Sequence, residues 1–176
     1  MIREATVSDA SRIAEINVAS WRFAYKGIVP EEYLYKDFLV ENRIAVSRRW
    51  ITEKKFEVYV YEDPATGIVK GMMGIGKCGD EDKDDAFELH FLYVEPDYSR
   101  AGIGSEMIRF FEEKGAEKGF GEYVIWVLED NEIGKRCYQK NHYEPDGAEK
   151  IFGSIGKKEI RMIKNRTTKG CSALDT

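Results

Sequence analysis

Apolar residues recur along this chain with two different periods, and the changes of period divide it into elements. Ile2–Ala5 is short enough for a first strand. Thr6-Val7-Ser8-Asp9 then has the Ser/Thr-x-x-acid form of a capping box. Behind it Ile13, Ile16, Ala19, Trp21 and Phe23 keep one face apolar as far as Gly27, a suitable helix end. Pro30 opens a second helical stretch, and a third runs from about Val40 to Lys54 with Ile44, Val46 and Trp50. From Phe56 the period shortens. "FEVYVYED" and "GIVKGMMGIGKC" read as strands joined by the hairpin loop Asp63–Gly67. The acidic run "GDEDKDD" (79–85) reads as a solvated loop tip rather than a lure for a cationic substrate.

A strand over Phe87–Glu95, a helix over Gly102–Lys118 and a strand over Glu122–Glu129 follow with short connections, which predicts a right-handed parallel crossover. "YVIWVL" is apolar on both faces, as a central strand should be. Asn131–Asn141 reads as a short helix, and "HYEPDGAEKIF" and "KKEIRMIK" as two last strands. The expected fold is α/β of the α+β type, a mixed and mostly antiparallel sheet of about seven strands. Residues 1–164 form one expected domain, and the aperiodic tail from Asn165 is expected to be disordered. In the fourth strand Phe87, Leu89 and Phe91 alternate on one face, yet Leu92 and Val94 are apolar on the other. Either both faces are buried, or a β-bulge near Phe91 shifts the phase.

Composition narrows the class. With 176 residues the chain is one domain's worth, and 43% hydrophobic with 34% charged residues is ordinary for a globular protein. A net charge of −5 without a basic cluster argues against nucleic acid as partner. Three cysteines without metal-like or disulfide-framework spacing predict a reducing, cytoplasmic setting. "MIREATVSDA" does not resemble a signal peptide, and no apolar run approaches the 18 or so residues of a membrane span.

The chemistry concentrates where the fourth strand meets the next helix, in "LHFLYVEPDYSRAGIGSEMI" (89–108). A helix start offers unpaired N–H groups and a partly positive dipole end, and Gly102 and Gly104 remove Cβ atoms from the approach. With Arg100 beside them, Ser99 to Ser105 make a candidate pyrophosphate cradle. A Gly-rich corner that binds nothing is the plain alternative. Gly104 is followed by Ser105-Glu106, not by the Lys-Ser/Thr of an ATP-binding phosphate loop. Met107 and the mid-chain position likewise argue against a dinucleotide fingerprint.

"YVEPDYSRAGIGSEMI" resembles the coenzyme A pyrophosphate loop of the GNAT superfamily of acyl-CoA-dependent N-acyltransferases, Gln/Arg-x-x-Gly-x-Gly/Ala at a helix start. "NEIGKRCYQKNHYEPDG" (131–147) is similar to that family's Asn…Tyr helix and following strand, and "WRFAYKGIVPEEYL" to the first helices of one subgroup. Ser99 stands where Gln or Arg is usual, and His142 where Gly is common. The resemblance implies a bulged fourth strand that splays from the fifth, the pantetheine arm of acetyl-CoA pairing with Leu92, Tyr93 and Val94. It implies pyrophosphate contacts from Ser99, Arg100, Ala101, Gly102, Ile103, Gly104 and Ser105, and a cofactor contact from Asn131, which also suits a helix N-cap.

Acyl transfer to an amine needs a deprotonated nitrogen, a donor for the oxyanion and a proton for the departing thiolate. An alkylammonium with a pKa of about 10 has no lone pair to attack with. Glu88 falls where relatives with a carboxylate base carry theirs; a cross-strand partner or a group facing His90 is the alternative. Tyr138 falls where the family's thiolate-protonating tyrosine lies, though core packing would also explain it. Cys137 lacks an oriented base and is a poor nucleophile candidate. No metal cluster is evident. The implied function is acetyl transfer from acetyl-CoA to a primary amine of a small molecule or peptide in a ternary complex, with a non-catalytic acetyl-CoA sensor as the other reading. Trp21, Tyr25 and Tyr33 are candidates for an aromatic acceptor pocket, and uncovered edge strands leave room for a homodimer.

Overall fold

Asp9 organises the start of the chain, and the computed structural model, which describes residues 1–153 and 155–165, shows how. Its carboxylate accepts the Thr6 N–H (2.7 Å) and hydroxyl (2.9 Å), and the Arg3 guanidinium grips both oxygens at 2.9 Å. The capping box thus forms, over a short tight turn (Val7–Asp9) that leads into α1 (Ala10–Ala24). The stretch after Pro30 is a single wide turn closed by a Phe38 N–H to Tyr33 carbonyl bond, which lets both Leu34 and Phe38 turn inward. The helix α2 (Val40–Glu53) follows, then α3 (Ile103–Glu117) and α4 (Glu132–Lys140) later in the chain.

The strands are β1 (Ile2–Glu4), β2 (Glu57–Glu62), β3 (Val69–Lys77), β4 (Ala86–Val94), β5 (Glu122–Leu128), β6 (Glu144–Phe152) and β7 (Lys157–Asn165). They form one sheet in the order β1-β2-β3-β4-β5-β7-β6, and only β4 and β5 run parallel. The sheet is mixed and mostly antiparallel, as its sequence pattern predicts. One face carries α1 and α2, whose Ile13, Ile16 and Trp50 meet Val58, Val60 and Met72. The other carries α3, whose Met107, Ile108 and Phe111 meet Met73, Ile75, Phe87 and Leu89. Asn165, assigned from the sequence to the tail, instead closes β7 opposite Glu122; residues 166–176 lie outside the described residues. Among the described residues no helix is long and apolar enough to cross a membrane.

The two readings of β4 are resolved by its register. Gly74 of β3 lies opposite Phe91, but its neighbour Ile75 lies opposite Leu89, so His90 is the extra residue of a bulge. Before it Phe87 and Leu89 face α3; after it Leu92 and Val94 do, while Phe91 and Tyr93 turn to α1 and α2. The acidic loop is exposed at Glu81, Asp82, Asp84 and Asp85, in keeping with a solvated tip, but it is also tied down. Asp80 and Asp82 bind Arg161 of β7 at 3.0 and 2.7 Å, and Lys83 reaches Glu122 at 2.7 Å. Arg161 is nearly buried, so its charge needs these carboxylates, and they fasten the loop to the sheet.

Candidate active site

The bulge creates a gap. β4 pairs with β5 only from Ala86 to Leu89, whereas β5 stays with β7 as far as Leu128 and β4 stays with β3 as far as Val94. Beyond Leu89 the β5-facing edge of β4 therefore has no strand partner. The space between the parted strands is a cavity of about 650 Å³, within the range of cofactor sites. Leu92, Tyr93 and Val94 line it.

The loop after β4 forms one end of that cavity. Arg100 has φ +64° and Gly102 φ +84°, both in the left-handed region. No side chain caps α3, and its first intrahelical bond is Glu106 N–H to the Gly102 carbonyl. The preceding N–H groups, of Ile103, Gly104 and Ser105, have no partner within the helix. A Cβ on Gly102 would meet nothing within 4 Å, and one on Gly104 only Cys137 Sγ at 3.6 Å. Packing thus leaves the approach to these amides bare, as an anion cradle requires. Ser99, Arg100, Gly102, Ile103, Gly104 and Ser105 all line the cavity; Ala101 does not.

The helix α4 forms the opposite wall. Asn131 caps it, Oδ1 accepting the Gly134 N–H at 2.9 Å, and lines the cavity. Gly134 is required there, since a Cβ would lie 2.7 Å from Asn131 Nδ2. Asn141 ties the far end of α4 to α3 by donating to the Cys137 carbonyl (2.8 Å) and Ser105 Oγ (3.3 Å). His142 takes the left-handed conformation (φ +67°) that favours glycine there. Between these anchors Tyr138 is buried and lines the cavity, and its hydroxyl makes no hydrogen bond among the described residues. Burial, with smaller contributions from Cys137 and Tyr93, pushes its pKa far above the usual phenol range.

Glu88 sits one step behind the cavity wall. Its carboxylate contacts His90 Nδ1 at 3.2 Å; of the two residues it is His90, its ring 5.0 Å from that of Phe56, that lines the cavity. Burial pushes the Glu88 carboxyl up, but His90, the more distant Lys150 and the Gly79 N–H outweigh it and hold the group below the usual range. Neither described cysteine suits nucleophilic work. Burial pushes Cys78 to about 12 and also raises Cys137. Among the described residues no group of three or more His, Cys, Asp or Glu side chains could hold a metal ion.

The end remote from the loop is aromatic. Trp21 and Tyr25 line the cavity with their rings edge to face, and Trp21 Nε1 donates to the Tyr93 hydroxyl at 2.9 Å. Tyr33, grouped with them from sequence, packs on Trp21 and Phe38 and does not line the cavity. Glu159 and Phe152, neither singled out from sequence, complete this end. Alternation in "KEIRMI" is the signal that could have found Glu159: Ile160 and Met162 face α3, so Glu159 and Arg161 share the other face.

A bulged strand parting from its parallel neighbour above a bare helix start is the arrangement that comparison with known proteins can now identify. The acetyltransferase (GNAT) family model matches residues 12–143. This chain belongs to the GNAT acetyltransferase family. It is 31% identical over 138 residues, 74% of this chain and 72% of the other, to YuaI, an uncharacterized N-acetyltransferase of Bacillus subtilis. It is 26% identical to a spermidine N(1)-acetyltransferase of Thermoplasma acidophilum, over 86% of this chain and 94% of that one. The PaiA N-acetyltransferase of T. acidophilum, solved with coenzyme A, superposes with a TM-score of 0.71 at 21% identity, covering 94% and 98% of the two chains. At that identity the likeness is one of fold. Within this GNAT protein the loop, the gap and α4 occupy one continuous cavity.

Proposed function

We propose that this protein transfers an acetyl group from acetyl-CoA to a primary amine of a small molecule or peptide, by direct attack within a ternary complex. The observation that carries the reading is the gap between β4 and β5, with unpaired amides of α3 at one end and the Tyr138 hydroxyl in its wall. Acetyl-CoA supplies an activated acyl thioester. The α3 amides and Arg100 suit its pyrophosphate, and the free edge of β4 over Leu92–Val94 suits the amides of its pantetheine arm.

The remaining roles fall to side chains. The pair of His90, a residue of the cavity lining, and Glu88 beside it takes the proton that the acceptor ammonium must lose. As the new C–N bond forms and the C–S bond breaks, Tyr138 gives its proton to the sulfur, the adduct nitrogen sheds its second proton to solvent, and the tyrosinate is reprotonated from solvent after release. The aromatic end, with Trp21 and Tyr25, holds the acceptor. The similarity to a spermidine N(1)-acetyltransferase supports an amine in that place.

An amine screen with thiol-release detection tests this reading. Turnover of primary amines that is lost when Tyr138 becomes Phe supports it. Tight acetyl-CoA binding without turnover of any amine would favour a sensor instead.

A further inference from the structure

Glu159 is a carboxylate that the proposed reaction leaves without a task. It projects from β7 into the aromatic end of the cavity, beside Tyr25 and Phe152, and its side chain is only 12% exposed. No hydrogen bond reaches it among the described residues. Among the described residues its one ion-pair partner is Lys150 Nζ at 3.9 Å, on a half-exposed side chain that rests over the Trp126 ring, also 3.9 Å from the centroid. A carboxylate this enclosed is costly unless something satisfies it. Burial, with the charge of Glu88 adding to it and Lys150 opposing, raises its pKa, as expected of an incompletely satisfied carboxylate.

Lys150 shows what this corner accommodates: an ammonium set on an aromatic face and turned toward the Glu159 carboxylate. Resting beyond hydrogen-bond distance, it leaves both oxygens open to a stronger partner. An ammonium bound by Glu159 keeps its proton and cannot be the attacking nitrogen. A second amino group has to face His90 and the thioester.

We infer that Glu159 determines acceptor specificity by binding a second, non-reacting ammonium, so that the preferred acceptors are diamines. The inference rests on the acetyl-transfer reading and names the acceptor class of that same site.

Calorimetric titration tests it without relying on turnover. The protein saturated with coenzyme A is titrated with 1,4-diaminobutane and, as a matched monoamine, n-butylamine. The diamine should bind about 10-fold or more tightly than the monoamine, the scale of one charge-assisted contact. In Glu159→Gln that ratio should fall to near one. In Lys150→Gln, which removes the competing ammonium, it should rise, and this variant serves if Glu159→Gln does not fold. Equal affinities in the unaltered protein, failure of both amines to bind, or a preference that survives Glu159→Gln would overturn the inference. If coenzyme A itself does not bind, the acetyl-transfer reading fails and this inference with it. Coenzyme A binding without diamine preference removes the inference alone.

Discussion

Burial raises the Tyr138 phenol well above its usual range, and on the acetyl-transfer reading that property defines its chemistry. Its pKa stands above any pH at which the protein would be assayed, so it can donate across the whole range. The account therefore predicts that kcat for an amine shows no loss between pH 7 and 9.5, since an acid with a raised pKa is not titrated there. A downward limb in that window would assign the donor elsewhere. Replacing Tyr138 by Phe removes the proton but keeps the ring. Steady-state kinetics should then show kcat lowered by roughly 10²-fold, with KM for acetyl-CoA moving far less. Glu88 works in the opposite sense, its carboxyl held below the usual range and so ionised beside His90 at neutral pH. Glu88→Gln keeps the shape and removes the charge beside His90. It should lower kcat/KM for amines by about 10-fold or more while leaving coenzyme A affinity in calorimetry nearly as it was.

At the scale of elements, two devices matter: the clamp that starts α1 and the bulge that opens β4. Asp9 is held at about 2 by the Arg3 fork, burial opposing and the Thr6 donors adding. A carboxyl with a lower pKa in the fold than its value of about 3.9 in the unfolded chain stabilises the fold above pH 4 or so. That contribution, on the order of 2 kcal/mol, is lost as pH falls through 4 toward 2. Urea unfolding should find Asp9→Asn less stable than the parent by about that amount at pH 7, with the difference narrowing as pH falls from 4 and closing only below the folded value of about 2. A difference that persists in acid would mean the clamp acts by shape, not charge.

The bulge was half legible from sequence. The break in alternation at Phe91 pointed to it, but apolar residues on both sides of the strand allowed burial on two faces, and both are true here in part: Leu92 and Val94 face α3 while Phe91 and Tyr93 face α1 and α2. The pairing that decides the matter comes from β3, where a Cβ on Gly74 would lie 2.6 Å from the Phe91 ring. Spacing along one strand carries no record of that neighbour.

Across the whole molecule, the cofactor side is local in sequence and the acceptor side is not. Ser99–Ser105 and Asn131–Tyr138 are two short segments whose turn glycines, cap and helix period can be read in place, and both line the cavity. The aromatic end draws on α1, β5 and β7, which meet only through the sheet order β4-β5-β7. Tyr33 was drawn toward that pocket by proximity to Trp21 in sequence, yet it backs the tryptophan from outside. Glu159 was missed because a charged residue in an alternating strand reads as solvent-facing until the elements around it are placed. The anchoring of the acidic loop was not legible for a related reason: its partner Arg161 lies about 80 residues on, and nothing in the loop names it.

The central claim is that the bare start of α3 and the gap beside β4 bind acetyl-CoA. Calorimetric titration with acetyl-CoA, comparing the protein with Gly102→Val, tests it most directly. A Cβ at residue 102 meets no protein atom within 4 Å but would project from the cradle, and thermal melting checks that the strained φ is tolerated. The account predicts micromolar binding by the parent and at least a 10-fold loss in a folded Gly102→Val. No binding by the parent, or equal binding by the two, would contradict it.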